Sequence, residues 1–126
     1  MSADQRDLRD TYQIIEAYGT ERFRISGKVY QHSVIVFPER TIPWSVKRFE
    51  DIGPTDFMPV MEATESIEIL LFGCGNRMRL VTQELRGRLR AAGVVIEPMD
   101  TGAAARTFNL LLSENRKVAA AMIALY

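Results

Sequence analysis

The sequence predicts an α/β fold: a single three-layer domain with a mixed β-sheet, helices on both faces and an N-terminal β-hairpin. Three observations carry this expectation. The chain has 126 residues, 47% hydrophobic and 25% charged, which suits one globular domain large enough for its own core. The segment Ile67 to Phe72 is β-branched and aliphatic over most of its length, the pattern of a strand covered on both faces in a parallel sheet. Strand-like and helix-like stretches then alternate to the end of the chain, as right-handed crossover connections require.

Taken in order, residues 1–20 are polar, with Leu8, Ile14 and Ile15 as aliphatic anchors, and are expected to form a loosely docked arm ahead of a domain over 21–126. Phe23 to Ser26 and Val29 to Phe37 read as two strands, with Gly27-Lys28 as the connector of a tight hairpin. In the second, Tyr30, His32, Val34 and Val36 share one face and Gln31, Ser33, Ile35 and Phe37 the other. Pro38 ends it, because proline has no N–H to give a ladder. Thr41-Ile42-Pro43-Trp44 follows as an irregular crossing or edge segment, and Gly53-Pro54 opens a short helix over Thr55 to Ala63.

Met78, Val81, Leu85, Leu89 and Ala92 recur at helical spacing and predict an amphipathic helix over 79–92, stopped at Gly93. Val94-Val95-Ile96 is the next buried strand. Asp100-Thr101 supplies capping oxygens for a helix whose apolar face is Ala104, Phe108, Leu111 and Leu112. The stretch from Val118 to Leu125 reads as a last strand: it is brief, follows the Asn115-Arg116 turn and contains Val and Ile. Its four alanines argue for a helix instead.

Composition excludes several functions. With 16 basic and 16 acidic residues the formal charge is zero, which disfavours a nucleic-acid binder. A single cysteine, Cys74, excludes an intramolecular disulfide, and a single histidine, His32, leaves tetrahedral zinc without its ligand set. No cofactor or metal motif is present. No apolar run approaches the ~20 residues of a transmembrane helix. The N-terminus, with Asp4, Asp7 and Asp10, has no signal-peptide character, so the cytoplasm is the expected location.

Three constellations could carry chemistry. Gly73-Cys74-Gly75-Asn76-Arg77 follows the buried strand, where open α/β sheets bind ligands and glycines let a ligand approach the backbone. It lacks the third glycine of a dinucleotide fingerprint and the Gly-Lys-Ser/Thr of a P-loop, and its plain reading is a tight strand-to-helix turn. Cys74 would be an activated nucleophile if a helix N-terminus and Arg77 lowered its pKa and His32 served as base; otherwise it is a small apolar filler. Arg79, Arg86 and Arg90 fall within about 20° of one line on the expected helix and would meet an acidic partner, unless they form an ordinary solvated face. Arg106 and Asn109, opposite the apolar face of the following helix, would anchor a carboxylate or phosphate, or tie the helix to neighbouring backbone.

Several of these segments together resemble a known family of small α/β domains. They are Gly73-Cys74-Gly75, Val95-Ile96-Glu97-Pro98-Met99-Asp100-Thr101, Ala104-Ala105-Arg106-Thr107-Phe108-Asn109 and Ile42-Pro43-Trp44. The family includes mitochondrial respiratory complex I assembly factor 3 and an adipogenesis-associated Mth-domain protein. The likeness runs from about Gly27 to Tyr126 and is most specific at Met99-Asp100-Thr101 and Arg106-Thr107-Phe108-Asn109. It implies a three-layer fold on a mixed sheet, no established enzymatic activity and, in the mitochondrial branch, assembly work through protein contacts.

Two readings follow. The first is a non-enzymatic protein-binding or assembly module whose partner meets an exposed patch near Trp44, Arg79, Arg86 or Arg90; a homodimer is compatible with a domain of this size. The second is a small-molecule site or enzyme for an anionic ligand at Gly73 to Arg77, helped by Arg106 and Asn109.

Overall fold

The structure, a computed structural model, describes residues 12–125. Among the described residues, eight strands form two sheets. β1 (Ile15–Gly19), β2 (Arg22–Ile25) and β3 (Lys28–Tyr30) make a small antiparallel sheet in that order. β4 (Val34–Val36), β5 (Thr41–Pro43), β6 (Ile69–Gly73), β7 (Val95–Met99) and β8 (Val118–Met122) make the main sheet, in the order β5-β4-β8-β6-β7. β6 runs parallel to both β7 and β8, while β4 is antiparallel to β8 and β5 to β4. The expected mixed sheet and N-terminal hairpin are both present.

The hairpin turn lies one residue earlier than expected. Ile25 pairs with Lys28, so Ser26 and Gly27 form the loop, with φ of 48° and 83°. Positive φ at both central residues matches the right-handed twist of the flanking strands. The single strand expected over Val29 to Phe37 is divided: Gln31, His32 and Ser33 leave the ladder and carry the chain from one sheet to the other. The alternation of Val34 and Val36 against Ile35 and Phe37 holds, since these pairs enter opposite cores. The polar segment over 1–20 includes β1, whose Ile15 is buried against β2 and the last helix; Leu8 lies outside the described residues.

Three helices cover the main sheet. α1 (Met58–Met61) continues a 3-10 turn over Pro54–Phe57, and α2 (Gln83–Ala91) joins it on one face. α3 (Thr101–Ser113) lies on the other face with the small sheet. α2 and α3 end in the same way. Gly93 and Asn115 adopt left-handed φ of 83° and 61°. Val94 and Arg116 donate back to the carbonyls of Leu89 and Leu111 at 2.9 and 3.0 Å, closing Schellman motifs. α2 begins four residues later than the periodicity suggests, because the Thr82 side chain accepts from the Leu85 N–H at 3.1 Å and caps it there.

β8, the central strand, is a strand despite its alanines. Val118 to Met122 are wholly buried, with Ala119 and Ala121 facing the α1–α2 core and Ala120 facing α3. Small side chains there leave room for large ones nearby: Phe72 packs edge-on to Phe57 and Trp44 at ring distances of 5.3 and 6.0 Å.

Both sheet edges are blunted. On β7, Val95 and Met99 pair inward to β6, so Ile96 and Pro98 face outward. Pro98 has no N–H, and the Ile96 carbonyl accepts from Arg86 Nη1 at 3.0 Å. On β5, Ile42 pairs with Ile35 and Trp44 donates to Ser33, which turns Thr41 and Pro43 outward. Replacing Ala120 with leucine should force β8 and α3 apart and lower stability by about 1–3 kcal/mol, read as a reduced urea midpoint with an unchanged slope.

Candidate functional site

β6 delivers Gly73 to the carboxyl end of the sheet, and the chain then runs through the loop 74–82 before α2 begins. This is not the tight strand-to-helix turn expected, but its root is firmly held. Ile123 N–H donates to Gly73 O at 2.9 Å, Cys74 N–H to Met99 O at 2.8 Å and Thr101 N–H to Gly75 O at 2.8 Å. The Thr101 hydroxyl accepts from Gly75 N–H at 2.9 Å and donates to Ile123 O at 2.7 Å. Thr101 is completely buried. Gly73 has to be glycine, because a Cβ there would lie 3.0 Å from the Thr101 Cα and Oγ1. Gly75, at φ +104°, uses the conformational freedom that only glycine has.

The loop borders an open cleft of about 380 Å³, lined by Arg48, Phe49 and Glu50 opposite Cys74, Gly75, Asn76, Arg77 and Arg79, with Ile123 between. Arg79 Nη1 reaches Glu50 Oε1 at 3.0 Å, and its guanidinium lies over the Phe49 ring at 4.5 Å. Arg48 Nε is 3.5 Å from the other Glu50 oxygen. The Arg79 hydrogen bond, with help from Arg48, holds the Glu50 carboxyl below the usual carboxylate range. A second cavity, of about 220 Å³, adjoins the first at Phe49 and Glu50 and is walled mainly by Ile52, Pro54, Phe72, Val81 and Leu85.

Cys74 does not meet the requirements of a nucleophile. It is buried, its Sγ lies 3.6 Å from Phe72 O and 3.7 Å from Arg79 O, and the chain after it does not enter α2 until Gln83. Burial pushes the thiol pKa up, outweighing the nearby backbone and Arg79 contributions that lower it. His32 does not line this cleft; its Nδ1 is 2.9 Å from Ser33 O and its ring meets Tyr30 edge-on.

The remaining candidate residues are dispersed. Asn109 donates to Ile15 O at 2.8 Å and accepts from Ile15 N–H at 2.9 Å, so it fastens β1 to α3. Arg106 Nη1 donates to the Tyr18 hydroxyl, and the Tyr18 ring occupies the space a Cβ on Gly102 would need. Neither residue lines the cleft, so the anchoring role pictured for Arg106 and Asn109 beside Gly75 is replaced by a structural one. The arginine stripe dissolves too: Arg79 precedes α2, Arg86 covers β7 and Arg90 stays exposed on the last turn. Trp44 is 5% exposed and belongs to the core; its Nε1–H donates to Asp56 O at 2.8 Å.

Sequence reasoning missed Arg48, Phe49 and Glu50, which lie in an aperiodic stretch and reach the site only through the tertiary fold. It read Thr101 as part of a cap but not as the hydroxyl that locks the glycine loop.

The family model described as a protein of unknown function (DUF498/DUF598) matches residues 15–123. The chain belongs to that family. A relative from Rhodobacter capsulatus, itself described as an uncharacterised protein, is 35% identical over 109 residues, 86% of this chain and 82% of that protein. NADH dehydrogenase (ubiquinone) 1 alpha subcomplex assembly factor 3 of Xenopus tropicalis is 33% identical over 119 residues. That match covers 94% of this chain but 64% of the factor, so the chain spans under two thirds of its length. A crystal structure from Bordetella parapertussis superposes with a TM-score of 0.84 at 33% identity, covering 90% of this chain and 97% of that one. The solution structure of a Mth938-like domain from Bordetella pertussis gives 0.80 at 27% identity, covering 98% and 90%. The family and the three-layer fold implied by the resemblance are therefore both present.

Two measurements check the site's chemistry. Thr101→Val keeps the shape but leaves Gly75 N–H and Ile123 C=O without the hydroxyl, and should lower unfolding free energy by roughly 2 kcal/mol or more. Since burial favours the neutral thiol, Cys74 should react with iodoacetamide at pH 7.5 more slowly than free cysteine. The stability that thiol contributes is intact below its ordinary pKa and is lost as pH rises through the raised folded value.

Proposed function

We propose that this chain is a non-enzymatic protein-binding module that works in the cytoplasm in assembly of a respiratory NADH dehydrogenase. The observation that carries the reading is the loop 74–82. Met78 and Leu80 are 51% and 79% exposed and alternate with Arg77 and Arg79, on a loop whose root is tied down by Thr101. Exposed aliphatic side chains rimmed by arginine are the materials of an interface centre. Presenting them from a fixed root lowers the ordering cost of association. The match to the Xenopus factor supports assembly as the purpose of that contact. The buried, neutral thiol of Cys74 favours binding over catalysis. No helix of the described residues is long and apolar enough to cross a membrane.

With Trp44 in the core, Arg86 committed to β7 and Arg90 away on the last turn of α2, the partner surface we propose keeps Arg79 and adds Arg77, Met78 and Leu80 from the same loop. The experiment replaces the chromosomal copy with Met78→Glu/Leu80→Glu in a bacterium that builds this NADH dehydrogenase. The intact complex on native gels should fall to the level of a deletion strain, while the variant's abundance and melting temperature stay unchanged. A deletion strain with undiminished complex would sink the assembly reading. A wild-type mass of two chains in solution that the double variant reduces to one would show that the loop serves a second copy instead.

A further inference from the structure

We propose that the two adjoining cavities form one binding site for a single-tailed amphipathic anion, with its acidic head in the arginine cleft and its alkyl chain in the apolar cavity. The site shares Arg77 and Arg79 with the proposed partner surface, but it is argued from the two cavities and uses neither Met78 nor Leu80.

The geometry is graded along one line. Phe72, fully buried in the main core, stacks with Phe49 at a ring distance of 6.0 Å and 18° between planes. Phe49 in turn carries the Arg79 guanidinium at 4.5 Å. A positive charge is thus held on the ring where the cavities meet. On the apolar side, Ile52, Pro54, Phe72, Val81 and Leu85 wall about 220 Å³ that no side chain fills. The cavity opens to solvent and its walls are mainly apolar, so this volume is accessible to an apolar guest. On the polar side, the lining residues include Arg48, Arg77 and Arg79 and one carboxylate, Glu50, a formal excess of two positive charges among them.

Two acids lie beside the path, and neither opposes an anionic head strongly. Glu84 borders the apolar cavity with Arg88 3.4 Å from it. Glu50 is already shared by Arg79 and Arg48. These ion pairs are solvent-exposed, so they are weak and readily rearranged. A guanidinium has five N–H donors; with Glu50 on Nη1, Arg79 can still offer others to a second carboxylate or phosphate. The ligand chemistry is therefore an unbranched alkyl chain ending in one anionic group. A neutral lipid would leave the arginines unused, and a small inorganic anion would leave the cavity empty.

The test is calorimetric titration of the full chain with butyrate, hexanoate and octanoate below their micellar concentrations, alongside octanol and inorganic phosphate. Affinity should rise about fourfold for each added methylene, as burial of a CH₂ predicts. Octanoate should bind about tenfold more tightly than octanol, the increment of a charge-assisted hydrogen bond. Arg79→Gln should remove most of that tenfold difference while leaving octanol binding unchanged. If losing the stack on Phe49 unsettles that variant, Arg77→Gln reports on the head group from outside the stack. Octanoate no tighter than butyrate or phosphate would reduce the site to a bare anion cleft and overturn the proposal. Equal binding of octanol and octanoate, or no binding by any of these compounds at millimolar concentration, would overturn it as well.

Discussion

One buried hydroxyl holds the functional end of this protein together. Thr101 Oγ1 bridges Gly75 N–H and Ile123 O, while its own N–H reaches Gly75 O. Those contacts join the end of β6, the chain beyond β8 and the first turn of α3, which follows directly from β7. The approach is close enough to forbid a side chain on Gly73. The arginine-lined cleft and the exposed loop are built outward from that point. Few buried polar groups have so many consequences, since each of its bonds lies where water cannot replace it.

Much of the fold was legible in the chain because local signals and tertiary demands agreed. Ile69 to Phe72 could only be a covered strand, Gly93 could only end a helix, and Asp100 caps α3 through the Ala103 N–H at 2.8 Å. β8 was readable from its brevity, its position after the turn and its Val and Ile, although its alanines pointed to a helix. Legibility failed where two influences competed. Gln31-His32-Ser33 keeps strand alternation but has to carry the chain between sheets. Arg79 keeps helical phase with Arg86, yet Thr82 caps the helix after it. Trp44 looked like a surface anchor, but aromatic partners and the Asp56 carbonyl give its indole both an apolar seat and an acceptor.

The site was legible only in part. The glycine pair correctly marked the strand end where clefts form, but the partners expected from α3 face the other way. Arg106 and Asn109 hold β1 and Tyr18 against the helix, and thereby join the small sheet to the domain. The groups that do face Gly75 come from Arg48 to Glu50, a stretch with no periodicity to announce it. Side chains that converge from an irregular segment onto a strand end leave no spacing in the sequence; only the crossing of the chain over the sheet brings them together.

The two prolines at the sheet margins have a consequence for the protein in a crowded cell. Pro43 and Pro98 each remove an outward N–H from an edge strand, and Arg86 occupies the Ile96 carbonyl that would face a newcomer. A sheet margin that has lost a donor to proline is a poorer seed for strand-by-strand growth. The alanine-rich β8, which would be the more hazardous segment if bared, lies at the centre with neighbours on both sides. The molecule can therefore present apolar side chains on one loop to a partner while the margins of its main sheet stay poor templates for copies of itself.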